Sequence, residues 1–146
     1  MAARAQEGAL KPRHRVLIVD DDESTRMLLA RLLSKELDLE AQLAGTCEQA
    51  VRLAGNYAYD AILLDLLMPG IGGLGVLAAL RAASPNAATP VIIVSVVSDQ
   101  ATVDRCMAAG ANAYHVKPIR RTELLAMVKA QLAARNKPKP PRENDG

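Results

Sequence analysis

Four runs of apolar residues along the chain are each closed by a polar or ionisable one. Val16-Leu17-Ile18-Val19 leads into Asp20-Asp21, and Ala61-Ile62-Leu63-Leu64 into Asp65. Val91-Ile92-Ile93-Val94 leads into Ser95, and Ala113-Tyr114-His115-Val116 into Lys117-Pro118. The runs at 16–19, 61–64 and 91–94 are continuously apolar and rich in branched side chains, as strands buried on both faces of a parallel sheet are. Strands are predicted over 15–20, 40–44, 60–65, 90–95 and 112–116. Between them the apolar period becomes helical. The first helix spans 24–36, with Met27, Leu28, Leu32 and one of Leu29 or Leu33 as its apolar face. Thr46-x-x-Gln49 reads as a capping box opening a helix that runs to about Leu53, with Gly55 as its stop. Further helices are predicted over 73–82, over 99–109 (ended by Gly110) and over 121–134, the last carrying Leu124, Leu125, Val128 and Leu132 on one face. Met27, Met107 and Met127 read as core filler. Ser84-Pro85-Asn86 breaks the chain.

Five strand–helix units of this kind make a doubly wound α/β fold, because parallel crossovers are right-handed and place helices on both faces. Ligands in such folds sit beyond the carboxyl ends of the strands. Asp20, Asp21, Asp65, Ser95 and Lys117 therefore meet at one edge. Two like charges about 4 Å apart repel by roughly 4 kcal/mol at an effective dielectric of 20. Three carboxylates in one pocket call for a hard cation, and Mg²⁺, with its near-octahedral oxygen ligands and retained waters, suits two carboxylates plus a carbonyl. Asp22 and Glu23 need no such role, since acids favour the first turn of a helix. Asp65 at the end of a central strand has the chemistry to attack phosphorus and form an acyl phosphate. Lys117 and Ser95 are placed to neutralise and bind the phosphoryl oxygens.

Composition narrows the alternatives. With 146 residues the chain suits one domain, and with no Phe and no Trp its core must come from Ala, Val, Leu and Ile. The formal charge of +2 divides unevenly: residues 1–15 carry +3 and 135–146 carry +2, leaving −3 for 16–134. An acidic body suits cation binding and argues against direct nucleic-acid binding. Residues 1–13 are expected to be a disordered basic arm, 14–134 the folded domain, and 135–146 a disordered Pro/Lys-rich tail. Cys47 and Cys106 stand far apart without ligand spacing, so reduced thiols are expected. No apolar run reaches membrane length and no leader pattern opens the chain, so neither secretion nor membrane insertion is expected, and the cytoplasm is the expected location.

Taken together, Asp20-Asp21 after a strand, Asp65 followed by Met68-Pro69, Ser95, and Lys117-Pro118 resemble the receiver domain of two-component response regulators over nearly all of 14–134. The resemblance implies a CheY-like, flavodoxin-like sheet of order 2-1-3-4-5. It implies that Asp65 is the phosphoacceptor, serving as its own catalyst rather than as part of an enzyme acting on other substrates. Asp21 and Asp65 would ligate Mg²⁺ with the backbone carbonyl of Leu67, and Asp20 would act through water. Ser95 would contact the phosphoryl group, Lys117 would pair with one of its oxygens after a cis peptide bond to Pro118, and Tyr114 would be the switch aromatic. A sensor histidine kinase or phosphotransfer protein would donate. Output would pass in trans, through the face of the helix at 99–109, the strand at 112–116 and the last helix, to a protein partner not named by the sequence. The leucine face of the last helix could also support a homodimer.

The chain departs from that family's pattern at several points. Gly70-Ile71-Gly72-Gly73 lacks the acid common after Met-Pro, and four glycines in 70–75 predict a mobile loop. Val96 replaces a small residue beside the phosphoryl site, where it would restrict access. Leu67 and Val97 occupy positions that tune acyl-phosphate lifetime in the family; neither can orient water, which implies slow self-hydrolysis. Gly70-x-Gly72-x-x-Gly75 matches a dinucleotide fingerprint formally, but it follows the wrong strand and lacks the later acid. His115 reads as a packing or surface residue. Arg120-Arg121 reads either as a solvated helix start or as part of a docking face. Two other functions compete: a phosphorylation-independent docking module, and a haloacid-dehalogenase-like phosphatase using Asp20 in Asp20-x-Asp22. The phosphatase lacks its final acid pair, because Glu123 stands alone.

Overall fold

A computed structural model of the chain describes residues 14–82 and 84–136, so the expected arm at 1–13 and the tail at 137–146 lie outside the described residues. Ten elements alternate: β1 (His14–Val19), α1 (Glu23–Glu36), β2 (Leu39–Ala44), α2 (Cys47–Asn56), β3 (Ala61–Leu64), α3 (Gly72–Arg81), β4 (Val91–Ser95), α4 (Gln100–Ala108), β5 (Ala113–Val116) and α5 (Arg121–Asn136). The strands form one parallel sheet in the order β2-β1-β3-β4-β5. Fold class and strand order are those expected.

The sheet divides the core in two. Val16, Ile18, Leu63, Ile92 and Val94 face α1 and α5, meeting Leu29, Leu33, Leu124, Val128 and Leu132. Leu17, Val19, Ile62, Leu64 and Ile93 face α2, α3 and α4, meeting Ala50, Ala54, Val76, Leu77, Leu80 and Cys106. Successive strand side chains point to opposite faces, so strands apolar at every position bury both. Each fully buried branched side chain stabilises the fold by about 1.5–3 kcal/mol.

Several expectations need correction. The buried face of α1 is Leu29 and Leu33, with Leu32 half-buried; Met27 and Leu28 are 41% and 54% exposed. Apolar residues at 27–30 and 32–33 leave the helical phase undetermined, and the seating of α1 on the sheet sets it. Met107 is likewise exposed, and of the three methionines Met127 alone packs against the core. Gly55 does not stop α2, which runs to Asn56 and ends as Tyr57 turns extended. The Thr46 hydroxyl does cap α2 by accepting from Gln49 N–H, although Gln49 Oε1 reaches back to Gly45 N–H rather than to that of Thr46. The helix α5 continues through Asn136, two residues past the expected boundary at 134. Gly110 follows α4 with φ +110°, a left-handed conformation suited to glycine at a helix end.

The glycines at 72, 73 and 75 belong to α3 rather than to a loop. Gly73 is required by close approach: a Cβ there would lie 2.4 Å from the Asp65 carbonyl oxygen and 2.6 Å from Leu66 Cα. The start of α3 is thus packed against the strand end that carries Asp65.

Candidate functional site

The sheet ladder continues one residue beyond three of its strands, and those residues are site residues. Asp20 N–H donates to the Ala44 carbonyl (3.1 Å), Asp65 N–H to Val19 (2.9 Å) and Lys117 N–H to Ser95 (2.8 Å). Parallel registry therefore fixes the backbone from which each functional side chain projects. Asp20, Asp65 and Ser95 are buried and Asp21 is exposed. The carboxylate oxygens of Asp20, Asp21 and Asp65 come within 4.8 Å of one another. Lys117 Nζ donates to Asp20 Oδ2 at 2.9 Å and to Asp65 Oδ2 at 3.5 Å. The Lys117–Pro118 peptide is cis, as expected.

The local charge is unbalanced, with three carboxylates against one ammonium. Burial pushes the Asp65 carboxyl above its ordinary range; the Lys117 charge opposes this and the Asp20 charge adds to it. Burial works against the Lys117 ammonium, but its hydrogen bond to Asp20 and the charges of Asp65 and Asp20 outweigh that and raise its pKa. The ammonium thus stays charged at neutral pH. Further donors order the carboxylates: Asp22 N–H reaches Asp20 Oδ1 (2.9 Å) and Leu67 N–H reaches Asp65 Oδ1 (3.3 Å).

Ser95 and Tyr114 converge on one residue. Val97 N–H donates to Ser95 Oγ at 3.3 Å, and Tyr114 Oη donates to the Val97 carbonyl at 2.6 Å. Leu67 is 55% exposed, and its side chain shares a cavity of about 300 Å³ with Val97, Ile71, Leu74 and Thr102. Val96 is 59% exposed, so its side chain projects largely into solvent. Asp22 is the N-cap of α1, its carboxylate accepting from Thr25 N–H and Oγ1.

Residues 16–129 match the model of the response regulator receiver domain. This chain belongs to that family. The receiver domain is 36% identical over 116 residues to the cell cycle transcriptional regulator CtrA of Caulobacter vibrioides, covering 80% of this chain and 49% of CtrA. It is 38% identical over 113 residues to the sensory/regulatory protein RpfC of Xanthomonas campestris, covering 76% of this chain and 15% of RpfC. The chain thus spans half or less of the length of these relatives. Among solved structures it resembles chemotaxis protein CheY4 of Vibrio cholerae (26% identity, TM-score 0.75, covering 80% of this chain and 97% of that one). It also resembles the receiver domain of sensor histidine kinase PA1611 of Pseudomonas aeruginosa (28% identity, TM-score 0.75, covering 82% and 98%), which holds a magnesium ion in its active-site cleft. No helix among the described residues of this receiver is long and apolar enough to cross a membrane.

The receiver has one residue at this edge that sequence reasoning passed over. Arg26 Nη1 donates to the Asp20 carbonyl at 2.7 Å. An arginine in the first turns of an amphipathic helix reads as solvated, and only the tertiary contact shows otherwise.

Proposed function

We propose that Asp65 accepts a phosphoryl group from the phosphohistidine of a sensor kinase or phosphotransfer protein. The observation that carries this reading is the gathering of the Asp20, Asp21 and Asp65 carboxylates within 4.8 Å of one another, with a single ammonium beside them. Asp20, Asp21 and Asp65 together with the Leu67 carbonyl are the oxygen donors that would hold Mg²⁺. When bound, the ion would supply positive charge against the phosphoryl oxygens. An Asp65 carboxylate oxygen attacks phosphorus, the phosphorus–nitrogen bond breaks, and its electron pair returns to the imidazole, leaving an acyl phosphate. Lys117, kept charged by its carboxylate partners, pairs with a phosphoryl oxygen. The Ser95 hydroxyl donates to another.

Signalling follows from the shared residue Val97. As Ser95 turns to the phosphoryl group it releases Val97 N–H, and the Val97 carbonyl held by Tyr114 shifts with it. Tyr114 then repacks against the face of α4, β5 and α5, biasing two populations of that surface toward the one an output protein binds.

The deciding experiment is intact mass after incubation with Mg²⁺ and acetyl phosphate. The expected result is one phosphoryl adduct on the wild type, none on Asp65→Asn, and none when Mg²⁺ is chelated. An adduct that survives Asp65→Asn and disappears in Asp20→Asn would instead establish phosphatase-like chemistry.

A further inference from the structure

We propose that Arg26 is a positioning residue for the acid pair: its guanidinium, seated against Gly45, latches the peptide that joins Asp20 to Asp21. The inference rests on the Mg²⁺ reading of the pocket.

The carbonyl that Arg26 binds belongs to the peptide bond between the two acids. Its oxygen is held at 2.7 Å by Arg26 Nη1, and Asp20 N–H is held at 3.1 Å by the Ala44 carbonyl. Both backbone polar groups of Asp20 are therefore engaged, one by β2 and one by α1. The Cα atoms from which the Asp20 and Asp21 side chains project flank this peptide, so its position sets where both side chains start.

Arg26 reaches this position because residue 45 has no side chain. A Cβ on Gly45 would lie 2.8 Å from Arg26 Nη1, 3.1 Å from Cζ and 3.4 Å from Nη2. Gly45 is not among the glycines in the left-handed region, so nothing in its own backbone demands glycine. The space it leaves is filled by the guanidinium. Arg26 is half-buried, and among the described residues it forms no ion pair with a carboxylate. It acts on the pocket through the carbonyl, where the rigid guanidinium plane gives a defined direction that a lysine ammonium would not.

Charge and position make opposite predictions. Removing a cation near three carboxylates, by charge alone, tightens Mg²⁺ binding. Loosening the peptide that carries two of the donors weakens it, on the scale of about tenfold for a partner that orients metal ligands. The experiment is calorimetric titration of magnesium chloride into wild type, Arg26→Met, Gly45→Ala and the double variant, with urea unfolding of each. We expect both single variants to weaken Mg²⁺ binding about tenfold, and the double variant to be no weaker than Arg26→Met, because Gly45→Ala acts only by displacing Arg26. Unchanged or tighter binding in Arg26→Met overturns the proposal, and so does a further loss on adding Gly45→Ala to it. If Arg26→Met does not fold, Gly45→Ala decides alone, weakened binding supporting the latch and unchanged binding overturning it. The metal-free amide NMR signal of Asp21, whose N–H shares the latched peptide, separates this inference from the metal reading. Displacement of that signal in both variants sustains the latch even if the wild type binds no Mg²⁺, and an unmoved signal in both overturns it.

Discussion

Leu67 and Val97 stand on different loops, two residues beyond Asp65 and Ser95, yet line one cavity of about 300 Å³ with Ile71, Leu74 and Thr102. Hydrolysis of an acyl phosphate on Asp65 needs a water held in line with phosphorus, and neither side chain offers a hydrogen bond to hold one. The phosphorylated receiver is therefore expected to be long-lived. Replacing Leu67 by Asn together with Val97 by Glu should speed the loss of the phosphoryl adduct by at least about tenfold, an order of magnitude below the roughly hundredfold at which a positioned acid–base group begins to contribute. Time-resolved intact mass would read it, and an unchanged lifetime would sink the idea. The resemblance to receiver domains marked these two positions, and the sequence showed that both are apolar. That the two share a cavity depends on the β3–α3 and β4–α4 loops being neighbours, which no local pattern reports.

The junction of β5 and α5 carries a buried histidine that belongs to the element rather than to the pocket. His115 Nε2 accepts from Arg120 N–H at 3.1 Å, just before the first turn of α5, so the imidazole is neutral with its proton on Nδ1. Nδ1 is buried and, among the described residues, has no hydrogen-bond partner. The packing half of the sequence reading thus holds and the surface half does not. Burial lowers the His115 pKa from its ordinary 6.5; the Arg120 charge lowers it too, and Glu123 works the other way. With the folded pKa below the unfolded one, the contribution to stability is whole above the unfolded value and is lost as pH falls toward the folded one. Urea unfolding should show stability dropping from about pH 7 to about pH 5. In His115→Gln the drop should be shallower, by up to about 1.4 kcal/mol per pH unit, the limit for one proton. Parallel slopes for the two proteins would show that His115 does not couple to folding.

At the scale of the whole molecule, the receiver holds a site that opposes its own stability. Asp20 and Asp65 close adjacent strands β1 and β3, and Asp21 sits one residue on, so the topology that buries the core also crowds the carboxylates. Asp65 has a raised folded pKa, chiefly through burial. Its ionised form therefore costs the folded state free energy at pH above the folded pKa, and the cost is relieved as pH falls through the carboxylate range. Metal-free Asp65→Asn should be more stable than wild type at neutral pH by about 1–3 kcal/mol, the scale of a partly neutralised like-charge contact. Adding Mg²⁺ should stabilise the wild type more than the variant, because a ligand stabilises the state that binds it. Thermal unfolding with and without Mg²⁺ measures both effects; a variant less stable than wild type would contradict this account.

The sequence alone determined the strands that lead to Asp20, Asp65 and Ser95, because strands buried on both faces are apolar at every position; the half-exposed edge strand before Lys117 was read from its place in the alternation of strands and helices. It also determined that five strand–helix units make a doubly wound sheet, since right-handed crossovers leave little else. The face of α1 expected from Met27 and Leu28 was the wrong one: the apolar run covers more than one side, and the side that is buried follows from docking on the sheet. The roles of Gly73 and Arg26 were decided only in three dimensions. Gly73 answers to the backbone of a strand end several residues earlier, and Arg26 on α1 answers to Gly45 beyond β2. Both are contacts between elements, and a one-dimensional pattern records only what a residue does within its own element.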